Sequence, residues 1–202
     1  FEAARVLTQK GAKVILACRN AQKAASARQH ILNEFPGGLA EVIELNLSDL
    51  SSVQEFVIQF REKYQQLDLL INNAGIVAIP LTRNEAGHEM QMATNYLGNF
   101  ALVGRMLPFF SAERSCRIVN VGSLAHRFGT LPLHDMNWHK DNYRPMAGYA
   151  RSKVALLTFT LEVNRRLAGR NSIALAAHPG CAATEITAGN PAMQPKNAIS
   201  RW

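Results

Sequence analysis

The sequence predicts a doubly wound α/β fold, with one parallel sheet in a three-layer α/β/α arrangement over residues 1–202 as a single domain. Two observations lead there. Short, nearly continuous apolar runs alternate with longer amphipathic stretches, as buried parallel strands alternate with crossover helices. A hydrophobic content of 48% in 202 residues is also enough for one sizeable core.

The elements follow in order. Residues 1–7 (Phe-Glu-Ala-Ala-Arg-Val-Leu) begin directly as a helix, and Gly11 is placed to stop it. A strand is expected over 13–18, an amphipathic helix over 21–34 and a second strand over 40–45. Asp49 is suited to cap a helix over 50–65, and residues 67–71 read as the third strand. One long helical stretch is expected over 85–110, then a strand over 116–121, a helix over 146–168 and a last strand over 172–177. Pro179-Gly180 breaks the chain sharply after it. No repeat, low-complexity segment or interdomain linker interrupts this series.

Composition narrows the function class. The net charge is +7, from 22 basic and 15 acidic side chains, but the basic residues are scattered over helix faces (Arg61, Lys63, Arg165, Arg166, Arg170). Without a basic run or an aromatic-interleaved patch, a nucleic-acid partner is not expected. No apolar run reaches the roughly 18 residues a membrane span needs, and the basic-then-apolar layout of a signal peptide is missing, so a soluble cytoplasmic protein is expected. Cys18, Cys116 and Cys181 are widely spaced and form no Cys-x-x-Cys pair, so they read as reduced thiols, and no metal site is expected.

The chemistry concentrates in Tyr149-Ala150-Arg151-Ser152-Lys153 and in Ser123, which follows the apolar run ending at Val121. A tyrosine and a lysine four apart share one helix face, about one turn separated. A cation about 4 Å from a phenol at an effective dielectric of about 20 favours the phenolate by roughly 4 kcal/mol, about three pKa units. That would bring the hydroxyl of Tyr149 toward the range where general acid/base catalysis is efficient.

Taken with Asn72-Asn73-Ala74-Gly75, Asn95-Tyr96-Leu97-Gly98 and His178-Pro179-Gly180 followed by Thr184, these motifs occur in the order of the short-chain dehydrogenase/reductase family. The chain resembles that family over essentially its whole length, closest to its retinol-dehydrogenase-like branch. The resemblance implies a Rossmann-type fold and a nicotinamide dinucleotide cofactor. It implies that Tyr149 is the general acid/base, that Ser123 orients the substrate oxygen and that Lys153 tunes Tyr149 while holding the nicotinamide ribose. Asn95 then supports a water-mediated proton relay from Lys153. A capping role for Ser123, a solvated lysine and a buried structural asparagine are the competing readings. Twenty-six residues separate Ser123 from Tyr149, and the intervening segment, with Trp138, His139 and Tyr143, is expected to shape the substrate cleft.

The resemblance also supplies the cofactor set. Asn73, Ala74 and Gly75 would lie against the adenosine part, and Pro179, Gly180 and Thr184 would reach the nicotinamide carboxamide. Tyr149 and Lys153 would face the ribose. Arg19, after the first visible strand, suits the 2′-phosphate of NADP, where an acidic residue would suit NAD, so NADP is preferred and NAD is possible. Asn46, beside Leu47, stands where the family usually carries aspartate; its carbonyl can still accept from the adenine amino group. The family's first strand with its glycine-rich turn, and its C-terminal end, are not found, so a fragment truncated at both ends is expected. The implied substrate is a small lipophilic alcohol or carbonyl compound, and the implied assembly is a homodimer or homotetramer. A catalytically silent dinucleotide-binding module and a sugar-nucleotide epimerase or dehydratase are the alternatives.

Overall fold

The computed structural model describes residues 1–139 and 142–180, and all structural statements concern these. The chain divides into two compact units, Phe1–Tyr64 and Gln65–Trp202.

In the first unit α1 (Glu2–Gln9) ends before Gly11, whose φ of +83° is a conformation glycine adopts without a Cβ penalty. Strand β1 (Lys13–Cys18) pairs in parallel with β2 (Leu39–Glu44), Lys13 opposite Leu39 through Cys18 opposite Glu44. Between them α2 (Ala21–Glu34) starts at Asn20, whose side chain accepts from the Lys23 N–H at 2.8 Å. Asp49 caps α3 (Leu50–Lys63) in the same way, accepting from the Ser51 N–H at 2.8 Å as its position suggests. Leu16, Ile31 and Ala40 form the centre of this unit's core, with Ala4, Phe35 and Val42 packed against them.

In the second unit β3 (Leu69–Asn72), β4 (Cys116–Val121) and β5 (Ser172–Ala177) form a parallel sheet in the order β3-β4-β5. Val103, Ile118, Val163, Leu167 and Ala174 are the core between this sheet and the helices α5 (Gly98–Met106) and α6 (Pro145–Arg166). Proline at the first position of α6 lacks only an N–H that a helix start leaves unpaired anyway.

The architecture is the expected Rossmann-type α/β fold, with parallel strands and helices on both sides. Both ladders are parallel throughout, β1-β2 in the first unit and β3-β4-β5 in the second, as crossover helices require. The long helix expected over 85–110 is the clearest difference. Gly87, at φ +81°, turns the chain, and helix begins only after Glu89, whose carboxylate accepts from the Gln91 and Met92 N–H groups at 3.0 and 2.7 Å. The helix then runs as α4 (Met90–Met92), a π-helical turn (Ala93–Leu97) and α5, and closes in a 3-10 turn (Leu107–Phe109). Hydrophobic periodicity registers the buried face but not the one-residue insertion that makes a π turn.

Candidate active site

All four residues of the expected catalytic set lie in the second unit. Two of them, Asn95 and the backbone of Tyr149, are linked through Ser152. Asn95 sits in the π turn and is fully buried. Its Oδ1 accepts from the Ile76 N–H at 2.9 Å, and its Nδ2 donates to the Ile76 carbonyl and to Ser152 Oγ, both at 2.9 Å. Ser152 in turn donates to the Tyr149 carbonyl at 2.7 Å. One asparagine therefore ties the loop after β3 to the turn of α6 that carries Tyr149. The structural role offered as the competing reading of Asn95 is present, directed at loop backbone and at α6.

Lys153 is 6% exposed, and its ammonium donates to the Val121 carbonyl at 2.8 Å, two residues before Ser123. Burial holds its pKa down to about 8, because a charged amine loses hydration in the interior. The Nζ lies 5.6 Å from the centroid of the Tyr149 ring, so lysine and phenol share one side of α6 as their spacing implies. Tyr149 itself is half-buried.

Ser123 leaves β4 in extended conformation, and its Oγ accepts from the Ala125 N–H at 3.2 Å, capping the 3-10 turn Leu124–Phe128. A hydroxyl that accepts this bond keeps its own proton to donate elsewhere. The 3-10 turn packs on α6, and Gly129 makes the close approach feasible: a Cβ there would stand 2.6 Å from the Ala150 carbonyl oxygen. This contact brings the segment after Ser123 against the helix turn beginning at Tyr149.

Gly75 borders the same place. A Cβ on it would lie 3.0 Å from Asn95 Oδ1 and 3.9 Å from Lys153 Nζ. Asn72, at the end of β3, is not a ligand group but a tie between strands: its Nδ2 donates to Asn120 Oδ1 at 2.7 Å, and Asn120 donates to Thr160 Oγ1 at 2.8 Å. Asn73 and Ala74 continue the loop. After β5, His178 Nδ1 accepts from the Gly180 N–H at 3.0 Å, with Pro179 between them and Gly180 at φ +73°. Thr184 and Cys181 lie outside the described residues.

The first unit holds the remaining candidates. Arg19 is exposed just past the C-terminal end of β1. Asn46 is half-buried, and its Oδ1 accepts from both the N–H and the hydroxyl of Ser48, at 3.2 and 2.8 Å, while Leu47 is buried. Both lone-pair directions of that carbonyl are engaged within the loop, so an adenine amino group would have to displace one of them.

The groups of the second unit fit the ribose of a nucleotide. An ammonium has three N–H donors, and among the described residues one of Lys153's is taken, by Val121; beside it Gly75 leaves room that a side chain would fill.

Sequence reasoning missed several residues around Tyr149. Ser152 joins Asn95 to the helix, and Asn99 donates to the Asn95 carbonyl at 3.0 Å, which the π turn leaves open to a side chain. Gln91, Glu89 and Arg151 form a second cluster next to it together with Trp138 and Tyr143, which the sequence assigned to the substrate cleft and which here pack against protein groups. The Gly87-His88-Glu89 break was the one available signal, since a carboxylate just before an apolar run is a helix-capping pattern.

A family model for short chain dehydrogenases matches residues 1–195. Human retinol dehydrogenase 13 is 38% identical over 180 residues, 89% of this chain and 54% of that protein. Human retinol dehydrogenase 12 is 37% identical over 185 residues, 92% of this chain and 58% of that protein. The chain thus spans little more than half the length of these curated relatives. Among solved structures, an uncharacterized protein from Mycobacterium paratuberculosis is 43% identical with a TM-score of 0.80, over 91% of this chain and 64% of that one. A metagenomic short-chain oxidoreductase in complex with NADP is 25% identical with a TM-score of 0.71, over 91% and 77% of the respective chains. With the family model matching residues 1–195, the chain belongs to the short-chain dehydrogenase family.

Proposed function

We propose that the complete protein is an NADP-preferring oxidoreductase that interconverts an alcohol and a ketone or aldehyde, with residues 1–202 as its dinucleotide-binding and catalytic domain. The observation that carries this reading is the shared location of Tyr149, Lys153, Asn95 and Gly75, held by hydrogen bonds that run through Ser152 and Val121.

A bound nicotinamide dinucleotide would supply the hydride acceptor for oxidation of the alcohol and the hydride donor for reduction of the carbonyl. Tyr149 takes the hydroxyl proton in oxidation and gives it back in reduction. Ser123 donates its remaining proton to the substrate oxygen and so fixes that oxygen beside the phenol. Lys153, with one N–H on the Val121 carbonyl, would hold the ribose hydroxyls with its other N–H groups. Asn95 and Asn99 support a water-borne proton path from Lys153; the buried Asn99 Oδ1, without a protein partner among the described residues, is an acceptor for such a water.

NADP preference rests on Arg19, exposed at the strand end where a guanidinium can meet a phosphate bidentately. The relative in complex with NADP agrees with it. Asn46 and Leu47 would contact the adenine, and Asn73, Ala74, Pro179, Gly180 and Thr184 the rest of the cofactor. A lipophilic substrate is supported by the exposed side chains of Leu124 and Phe128, which follow Ser123, and of Met146, one turn before Tyr149. Retinol dehydrogenases among the relatives point the same way. Homodimeric or homotetrameric assembly is supported by the Tyr96–Phe100–Phe159 ring cluster, where Phe100 is half-exposed, and by the exposed Leu161 of α6. No helix among the described residues is long and apolar enough to cross a membrane. The free thiols of Cys18 and Cys116 favour a reducing, cytoplasmic setting.

Titration of the full-length protein with NADPH and with NADH, followed by ligand fluorescence, tests the reading. We expect both to bind, NADPH more tightly; a folded protein that binds neither contradicts it.

A further inference from the structure

We infer that Tyr143, with Gln91 and Glu89, is a positioning device for the turn of α6 that carries Tyr149, an inference that rests on the catalytic reading of Tyr149. Tyr143 lies in the segment between Ser123 and Tyr149, yet its hydroxyl points into protein. It accepts from Gln91 Nε2 at 2.6 Å and lies 3.0 Å from Glu89 Oε1 and 3.1 Å from the Ile79 carbonyl, either of which can take its proton. Burial first, and the Glu89 carboxylate second, push the ionisation of this phenol upward, so it stays a neutral donor.

The partners are themselves fixed. Gln91 and Glu89 are fully buried. Gln91 accepts from the Ala78 N–H at 2.8 Å and donates to the Pro145 carbonyl at 2.9 Å, and Pro145 is the first residue of α6. Glu89 caps α4, whose π-helical continuation holds Asn95. The same three residues therefore join the start of the helix carrying Tyr149 to the start of the helix carrying Asn95.

Contact with the catalytic turn is direct. Gly148, immediately before Tyr149, is buried, and a Cβ on it would stand 2.9 Å from Gln91 Nε2, Tyr143 Cε2 and the Tyr143 hydroxyl. Two residues after Tyr149, the Arg151 guanidinium stacks 3.7 Å from the centroid of the Trp138 ring and donates to the Asp135 carbonyl at 2.7 Å. Trp138 meets Tyr143 edge-on at 5.3 Å. Tyr143 at Gly148, and Asp135 with Trp138 at Arg151, thus hold α6 on either side of Tyr149. Because a misplacement of about 1 Å in a reacting group can lower a rate about 100-fold, these contacts bear on the chemical step.

Tyr143→Phe in the full-length protein removes the hydroxyl and keeps the ring. With NADPH and a saturating aliphatic aldehyde, we expect kcat to fall about 10- to 100-fold. NADPH affinity should be unchanged, and the solvent deuterium isotope effect on kcat should rise, because proton delivery by a misplaced Tyr149 becomes rate-limiting. An unchanged kcat overturns the inference. So does a loss that merely follows the folded fraction with the isotope effect unaltered, since that is the signature of a structural role. If Tyr143→Phe does not fold, Gln91→Met, similar in length but without the two donations to Tyr143 and Pro145, gives the same readouts. Tyr149→Phe assayed in parallel separates the two levels. If it retains turnover, the catalytic reading itself falls; if it is inactive while Tyr143→Phe is fully active, only the positioning role falls.

Discussion

Residues 1–64 and residues 65–180 follow the same α/β plan but bury different chemistry. In the first unit the core is Leu16, Ile31, Ala40 and their apolar neighbours, and Thr8 is the one fully polar side chain buried there among the described residues. In the second, Asn72, Glu89, Gln91, Asn95, Asn99, Asn120, Arg151, Ser152, Lys153 and Thr160 are all buried. Burying such groups is costly unless they are hydrogen-bonded, so a region that concentrates them gains little stability over an apolar core. What it gains is fixed orientation, and Asn95, Ser152 and Lys153 among the groups so fixed lead to Tyr149. The polar candidates of the first unit, Arg19 and Asn46, lie at the surface or half-buried, where a contact discriminates between ligands without holding a reacting atom. On the proposed reading, the catalytic part of the site rests on buried, mostly hydrogen-bonded polar groups and the choice of cofactor on an accessible one, Arg19.

Substitutions can break this contrast or sharpen it. The largest effect is expected at Lys153: Lys153→Met should lower kcat/KM for the full-length enzyme about 100-fold or more, through lost acid/base tuning and lost ribose contacts, as measured by steady-state NADPH oxidation. Next comes Asn120→Ala, which orphans the donor of Asn72 and an acceptor at Thr160 and should destabilise folding by about 2–3 kcal/mol in urea unfolding. An equivalent truncation on the exposed face of the first unit, Gln29→Ala, should stay within about 0.5 kcal/mol. If the two cost the same, the contrast between the units is wrong.

Lys153 also gives a pH signature. Its folded pKa of about 8 lies below the ordinary lysine value, so between about pH 8 and 10.4 the unfolded chain binds the extra proton and stability rises with pH. The rise is on the order of 3 kcal/mol across that window, is absent below it, and should vanish in Lys153→Met. A melting series from pH 7 to 10.5 on both proteins checks it. The smallest effect is expected in the first unit: Arg19→Ser should reduce the NADPH-over-NADH affinity ratio about 10-fold and leave kcat with saturating cofactor unchanged, read from paired titrations.

The elements were legible because apolar periodicity marks them: the five strands and the helices α1, α2, α3 and α6 lie within two or three residues of where the sequence puts them. Tyr149 and Lys153 were legible because helical spacing places i and i+4 together. Gly11 and Asp49 announced their turn and cap by residue type. The π turn at Asn95 was not legible, since a one-residue bulge leaves the apolar pattern intact. Nor was the Gln91–Tyr143–Glu89 cluster, whose members are about 50 residues apart and meet only through the fold. Asn46 shows a different limit: the residue type allows an adenine contact, and only the loop geometry reveals that Ser48 already engages its carbonyl.

The most direct test of Tyr149 as proton carrier in a hydride transfer uses NADPH carrying deuterium on the transferred C4 position, an aliphatic aldehyde and the full-length protein. Wild-type enzyme should place one deuterium on the carbinol carbon, and Tyr149→Phe should bind NADPH with unchanged affinity yet form product at least about 100-fold more slowly. Near-normal deuterated product from Tyr149→Phe, or product without deuterium from the wild type, would contradict the assignment.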